Sequence, residues 1–179
     1  MVEFTQKARV ERASLKETKM TVKSASTLQV LIDRPSPDDE PGWCSAYRAF
    51  AIDYPWDDKK AKILWSWLND PKHPMDGLVA KLESGQIVGF VHFKETPRGV
   101  HACNQGYIED LYVMPDYRGS GIAHKLISAV VEIAKRKGWK VIRWITKENN
   151  YRARSFYDRF ARQTNRLTYE LFVEEYRSS

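Results

Sequence analysis

The 179-residue chain is long enough for one domain with a full hydrophobic core, and its 42% hydrophobic and 29% charged residues are typical of a folded globular protein. No apolar run approaches the roughly 18 residues of a membrane span, and the N-terminal stretch lacks the apolar segment of a signal peptide. Residues 1–26 carry six basic against three acidic side chains, which is half of the net charge of +6, so the remainder is only mildly basic and nucleic acid is an unlikely partner.

Residues 1–26 alternate charged and small side chains with few large apolar ones, so we expect a flexible leader or a short helix there. Residues 27–179 have the helical and strand patterns of a single domain. The two cysteines, Cys44 and Cys103, have no paired spacing, and neither they nor the four histidines form a metal-ligand motif. We therefore expect reduced thiols, a cytoplasmic location and no metal site.

Apolar periodicity and turn residues predict ten elements in the order β-α-α-β-β-β-α-β-α-β. In the first half they are a strand at 28–33, a helix at 38–54, a helix that begins at Asp57 or Asp58, and strands at 77–82 and 86–93. In the second half they are a strand at 107–113, a helix from 122 to the glycine at 138, a strand at 139–146, a helix that begins at Asn149 or Asn150, and a strand at 167–173.

The strand at 107–113 leads into a glycine-containing loop. Pro115 ends the strand, because proline has no N–H for the ladder, and Arg118, Gly119 and Gly121 follow before the helix begins. Glycines let backbone N–H groups approach a ligand, and the start of a helix leaves further N–H groups unpaired with a partial positive charge. The arginine adds more donors, so the loop suits a phosphate or pyrophosphate. An ordinary strand-to-helix turn would use the same glycines.

Two common phosphate loops do not fit. A Walker loop would need lysine after Gly121, where Ile122 stands, and a dinucleotide fingerprint would need glycine at His124. The remaining pattern Arg-x-x-Gly-x-Ala, from Arg118 to Ala123, resembles the acetyl-CoA pyrophosphate loop of the GNAT (Gcn5-related) N-acetyltransferases. The preceding Ile-Glu-Asp-Leu-Tyr-Val-Met-Pro-Asp-Tyr-Arg-Gly is similar to the diamine and thialysine acetyltransferases and to a fungal branch of amine and histone acetyltransferases.

This resemblance implies an α/β (α+β) GNAT fold, which is a mixed, mostly antiparallel sheet of six to seven strands with helices on both faces. It also implies acetyl-CoA as co-substrate, no metal, and a homodimer. In the family, backbone groups of the central strand pair with the pantetheine arm, and the loop binds the pyrophosphate. The corresponding residues here are Leu111, Tyr112 and Val113 on the strand, and Arg118, Gly119, Ser120, Gly121, Ile122, Ala123 and His124 in the loop.

A second family motif, Asn-x-x-Ala-x-x-x-Tyr, matches Asn150, Ala153 and Tyr157. Ala153 and Tyr157 are four residues apart and share a helix face, so the small residue leaves a groove beside the tyrosine for the pantetheine arm. In the family this tyrosine is the general acid that protonates the departing CoA thiolate. The same face, with Phe156 and Phe160, could instead be a core stripe. After Tyr157 the sequence departs from the family's Tyr-x-x-Gly-Phe.

Transfer to an amine also needs a group that takes the ammonium proton. Glu109 lies on the strand before the loop, and its family counterpart contacts the amine substrate, although a carboxylate satisfied by backbone groups would look the same. Strand alternation predicts that Asp110 points to the opposite face from Glu109. Only one of the two carboxylates can then take the proton of the amine. Asp53 and Tyr54, between the two early helices, would suit a cationic acceptor, or they are an ordinary surface corner.

These residues predict a cytoplasmic N-acetyltransferase that moves an acetyl group from acetyl-CoA to a primary amine by direct attack in a ternary complex, since no cysteine stands at either motif. Resemblance favours a small amine, a polyamine or an amino acid as acceptor. The alternatives are acetylation of protein or histone lysines or of N-termini, a non-catalytic acyl-CoA-binding module, and a nucleic-acid-binding module.

Overall fold

The computed structural model of the protein describes residues 28–174, so the predicted leader at 1–26 lies outside the described residues. The sheet contains β1 (Val30–Asp33), β2 (Met75–Leu82), β3 (Ile87–Arg98), β4 (Cys103–Val113) and β5 (Ile142–Arg143). The helices are α1 (Glu40–Phe50), α2 (Asp58–Asn69), α3 (Ile122–Lys137) and α4 (Tyr151–Tyr157). No helix within residues 28–174 is long and apolar enough to cross a bilayer.

The strands lie in the order β1-β2-β3-β4-β5, with the first four antiparallel and β5 parallel to β4. The predicted mixed, mostly antiparallel sheet is therefore confirmed. The predicted number of six to seven strands is wrong, since the described residues form a 5-stranded sheet.

Two predicted strands account for the difference. The strand predicted at 139–146 is reduced to Ile142–Arg143, and residues 167–173 form no strand. A strand forms only where a neighbour pairs its N–H and C=O groups. Within residues 28–174, β5 pairs with β4 at two positions and residues 167–173 pair with no strand.

The core has one layer on each face of the sheet, as expected from strands buried on both faces. Val91 and Phe93 of β3 pack in a cluster with α3, whereas Phe90 packs in a second cluster with α1 and α2. Trp43 and Tyr47 of α1 are four residues apart, so both side chains point into that second cluster. Helices therefore cover both faces of the sheet.

Helix boundaries follow local chemistry. The Asp57 carboxylate accepts a hydrogen bond of 2.8 Å from the Lys60 N–H and caps α2, and the Asn150 side chain accepts one of 3.2 Å from the Ala153 N–H and caps α4. Gly138 ends α3, as predicted. The first turn of α3 has no such side-chain cap. The backbone N–H groups at the start of α3 are therefore not occupied by a side chain.

Candidate active site

β4 separates from β5 beyond its first residues. The two strands pair only at Gly106 and Tyr107, so among the described residues no strand lies beside positions 108–113 on that side. Exposed backbone donors and acceptors along a strand can pair with an extended ligand. The structure therefore leaves the predicted pantetheine-binding stretch, Leu111 to Val113, without a neighbouring strand on that side.

The loop after β4 leads into a helix start whose first backbone N–H groups have no acceptor in the helix. Gly119 and Gly121 have φ values of +86° and +85°, and a Cβ atom on either would have no other atom within 4 Å. The first backbone bond of α3 runs from the Lys125 N–H to the Gly121 carbonyl, at 3.0 Å. The preceding N–H groups of the first turn therefore have no acceptor within the helix. They belong to Ile122, Ala123 and His124.

This end of α3 is suited to an anion. No acidic residue occupies the first turn of the 16-residue helix, and the helix dipole concentrates positive potential there. Arg118 reaches back to β4, where its Nε donates a 2.9 Å hydrogen bond to the Val113 carbonyl and its guanidinium carbon lies 5.5 Å from the centroid of the Tyr112 ring. Ser120 fixes the loop by donating to the Tyr117 carbonyl at 2.5 Å.

The structure brings the second motif close to the loop. The His124 ring, in the first turn of α3, lies 6.2 Å from the Phe160 ring, and the Phe160 ring lies 6.4 Å from that of Tyr157. Tyr157 also packs on Trp144 at 5.2 Å, and burial raises the pKa of its hydroxyl. Within residues 28–174 this hydroxyl has no hydrogen-bond partner, so it can donate to a ligand. Ala153 is half-buried on the same helix.

A β-bulge places both carboxylates of β4 on one face of the sheet. His92 pairs with Asp110 and Phe93 with Ile108, which leaves Glu109 as the extra residue. Glu109 forms an ion pair with Lys94, and Asp110 contacts His92. His92 and Lys94 are two residues apart on β3 and share a face. The prediction that Asp110 points away from Glu109 is therefore wrong, because the bulge interrupts strand alternation.

Asp110 belongs to a hydrogen-bonded network under α1. Its Oδ2 accepts hydrogen bonds from His92 Nδ1 at 2.9 Å and from the Tyr47 hydroxyl at 3.2 Å. The Trp43 indole N–H donates to His92 Nε2 at 3.0 Å. An indole nitrogen can only donate, so Nε2 carries no proton and the imidazole proton is on Nδ1. The network therefore holds Asp110 as an acceptor of two hydrogen bonds.

Sequence reasoning missed this network, although two signals were present. Trp43 and Tyr47 are one helical turn apart, and His92 interrupts an otherwise apolar strand in which its side chain is only 1% exposed. Burial and the nearby carboxylate of Asp110 raise the pKa of the Tyr47 hydroxyl. Tyr47 consequently stays protonated and continues to donate across the neutral range.

The predicted acceptor residues are not joined to one another by a hydrogen bond or ion pair within residues 28–174. Burial, and then the charge of Asp110, raise the pKa of Tyr47, whose hydroxyl lies 3.2 Å from Asp110 Oδ2. The Lys147 ammonium, in the loop after β5, lies 5.6 Å from the centroid of the Tyr54 ring. Asp53 is exposed, and its side chain forms no hydrogen bond or ion pair with the described residues. The assignment of Asp53, Tyr54 and Glu109 to one acceptor-binding region therefore stays a prediction.

We expect Asp110→Ala to lower the free energy of unfolding by about 2–4 kcal/mol, because the buried His92 Nδ1 and the Tyr47 hydroxyl lose the same partly buried acceptor. Asp116→Ala is the matched control, since Asp116 is exposed and its side chain forms no hydrogen bond or ion pair within residues 28–174. Urea denaturation followed by tryptophan fluorescence measures both. Equal stability of the two variants would contradict a structural role for the network.

Comparison with known proteins gives matches over most of the described chain. The family model described as the Acetyltransferase (GNAT) family matches residues 41–161. The D-amino-acid N-acetyltransferase HPA3 of Saccharomyces cerevisiae is 31% identical over 102 residues, which cover 56% of this chain and 63% of that protein. The thialysine N-epsilon-acetyltransferase of Bos taurus is 45% identical over 51 residues, which cover 28% of this chain and 30% of that protein. The chain thus matches less than two thirds of the length of either relative.

Solved structures have the same fold. The aminoglycoside N-acetyltransferase AAC(6')-Iy, in complex with CoA, superposes with a TM-score of 0.70. The superposition covers 81% of this chain and 95% of that one, at 18% sequence identity. At this identity the match shows a shared fold and nothing about the acceptor.

Proposed function

Because the chain belongs to the acetyltransferase (GNAT) family, we propose that it transfers the acetyl group of acetyl-CoA to a primary amine. The family predicted from the loop and the strand before it is confirmed by the family model over residues 41–161. The observation that best supports the proposal is the proximity of the open start of α3 to the end of α4, through the 6.2 Å contact of His124 with Phe160, three residues after α4. The Phe160 ring also lies 6.4 Å from that of Tyr157, whose hydroxyl has no hydrogen-bond partner within residues 28–174.

Acetyl-CoA would bind along this junction. The N–H groups of the first α3 turn and the Arg118 guanidinium would hold the pyrophosphate, as expected for a dianion at a helix start. The backbone of Leu111 to Val113, which has no neighbouring strand on one side among residues 28–174, would pair with the pantetheine arm. A strand N–H aimed at the acetyl carbonyl would stabilise the oxyanion that develops there.

The reaction needs two proton transfers. A primary amine has a pKa near ~10.4 and is mostly ammonium at neutral pH, so a proton must leave before the nitrogen can attack the carbonyl carbon. Glu109, on the bulge, would take that proton directly or through water. When the carbon–sulfur bond breaks, the electron pair goes to sulfur, and the Tyr157 hydroxyl would supply the proton. Its raised pKa keeps that proton in place at neutral pH.

Direct transfer is favoured over a cysteine relay. Burial, and then the charge of Glu40, raises the pKa of the Cys44 thiol, so little nucleophilic thiolate forms there at neutral pH. Cys103 stands at the beginning of β4, at the opposite end of the strand from the loop. Both observations on the cysteines support a ternary complex in which the amine attacks the thioester directly.

A small amine or an amino acid is the proposed acceptor. The carboxylates of Glu109 and Asp110 lie on the same face of the sheet, and Asp110 contacts the aromatic residue Tyr47, which suits a cationic group. The yeast relative is named for D-amino acids and the bovine relative for thialysine, both small molecules. The test is thiol release from acetyl-CoA across polyamines, amino acids of both chiralities and histone-tail peptides. Turnover confined to the peptides would overturn the small-molecule assignment in favour of protein acetylation.

We expect Glu109→Gln to lower turnover most near neutral pH and less in alkaline buffer, because free amine is scarce only at the lower pH. Glu132→Gln is the matched control, since Glu132 forms a comparable exposed ion pair with Lys135 on α3. Initial rates from pH 7 to 10 measure the effect. A loss that does not vary with pH would assign Glu109 to substrate positioning or structure instead.

We also propose a cytoplasmic location and a homodimer. Cys44 and Cys103 are both free thiols, which fits a reducing compartment. The homodimer is implied by the family resemblance.

A further inference from the structure

β5 ends at the point where it separates from β4. Its last residue, Arg143, pairs with Tyr107. Beyond this pair no strand among residues 28–174 lies beside positions 108–113 of β4 on that side. The opening that follows is the one in which the pantetheine arm of acetyl-CoA would bind. Arg143 therefore stands at the narrow end of that opening.

Arg143 lies on the face of the sheet that also carries Glu109. Paired residues of neighbouring strands present their side chains on the same face. Lys94 pairs with Tyr107, and Tyr107 pairs with Arg143, so these three residues share a face. The ion pair of Lys94 with Glu109 puts the Glu109 carboxylate on that face too. Ile142, the other residue of β5, instead packs against the core cluster on the α3 side.

The charge of Arg143 has no counter-ion in the described part of the chain. The residue is half-buried, and its guanidinium forms no ion pair or hydrogen bond within residues 28–174. Partial burial, and then the positive charges of Arg98 and Arg166, lower the pKa of this guanidinium. An unpaired charge that is partly withdrawn from water is unfavourable, so the position suits an anion. The planar fork of a guanidinium matches the two oxygens of a carboxylate.

We propose that Arg143 binds the carboxylate of an α-amino-acid acceptor while Glu109 faces its amino group. The inference rests on the proposed acetyl transfer and specifies the acceptor. A strand rises about 3.3 Å per residue, so positions 107 and 109 are roughly 7 Å apart, and Arg143 pairs with the first of them. Two long side chains can therefore approach opposite ends of one small zwitterion. A polyamine offers no group to Arg143 and would bring a further positive charge against it.

The test compares kcat/KM for an amino acid with kcat/KM for the amine that lacks only its carboxylate. The pairs are lysine with cadaverine, phenylalanine with phenethylamine and alanine with ethylamine, with both enantiomers of each amino acid, at saturating acetyl-CoA. We expect the full-length wild type to prefer the amino acid in at least one pair. Arg143→Gln should lower that preference by about 10–100-fold, because two charge-assisted hydrogen bonds are lost. Turnover of the matching amine should stay nearly unchanged, which also shows that the variant is folded.

Two further variants make the comparison specific. Arg136→Gln is the matched control and should leave the preference unchanged, since Arg136 is exposed on α3 and its side chain forms no ion pair or hydrogen bond within residues 28–174. Arg143→Lys keeps the charge without the fork and should restore part of the preference.

The outcomes separate this inference from acetyl transfer itself. A wild type that acetylates amines but prefers no amino acid overturns the carboxylate site and leaves acetyl transfer standing. The same holds if Arg143→Gln keeps the wild-type preference, or if it slows the amino acid and its matching amine equally. A wild type that acetylates neither class overturns both proposals.

Discussion

Replacing Tyr157 with phenylalanine should lower kcat by about 10²–10⁴-fold, the usual contribution of a positioned general acid, with acetyl-CoA affinity and melting temperature nearly unchanged. The substitution keeps the ring that packs 5.2 Å from Trp144 and removes only a hydroxyl that bonds to nothing within residues 28–174. Expulsion of a bare thiolate is unfavourable at neutral pH, so the loss falls on turnover. Steady-state rates at saturating acetyl-CoA, beside a thermal melt, measure it.

Tyr151→Phe is the control for this prediction. Tyr151 begins the same helix but is 71% exposed. Its replacement by phenylalanine removes the same phenolic oxygen. If Tyr157→Phe turns over at the wild-type rate, Tyr157 is a core residue. If it unfolds, the hydroxyl is structural. Either outcome removes Tyr157 from the mechanism.

The pH dependence of the same variant gives a second readout. Burial raises the pKa of Tyr157 above its ordinary value of about 10, so folding favours the protonated phenol. Its contribution to stability is therefore complete below about pH 10 and declines as pH rises through the folded pKa. We expect Tyr157→Phe to lose less stability than the wild type above pH 10. Equal alkaline destabilisation would indicate that Tyr157 ionises as freely as in the unfolded chain.

Gly121→Val should weaken acetyl-CoA binding at least about 100-fold, because the side chain would stand where the pyrophosphate must approach and charge-assisted hydrogen bonds of about 1.5–3 kcal/mol each would be lost. Valine is also strained at a φ of +85°. Gly85→Val separates the two effects, since Gly85 has a φ of +84° and equally open surroundings in the turn between β2 and β3. Titration calorimetry on both variants measures affinity, and a thermal melt measures strain. Unchanged affinity in Gly121→Val would overturn the loop assignment.

The parts of the site that depend on local chemistry were predictable from sequence. Asp57, Asn150 and Gly138 act at the ends of their helices because capping uses atoms within a few residues. The loop after β4 was predictable for the same reason, since its glycines and the uncapped start of α3 lie within one short stretch.

Features that depend on distant partners were not predictable. The bulge at Glu109 exists only relative to the register of β3, so alternation within β4 gave the wrong face for Asp110. Tyr47 is 63 residues away from Asp110 in the sequence, and His92 is 18 residues away from it. No local sequence pattern predicts either hydrogen bond. The predicted number of strands was too high for a related reason. Residues 167–173 have the composition of a strand but no partner strand within residues 28–174.

The measurement that tests the central claim most directly compares CoA released with acetylated amine formed, on the same samples, for the wild-type chain. An enzyme that transfers acetyl to an amine by direct attack should release one CoA for each acetylated amine and release none when the amine is omitted. Acetyl-CoA that binds, as shown by calorimetry, but yields no thiol with any amine in the panel would contradict the account, and would make the chain a non-catalytic acyl-CoA-binding module.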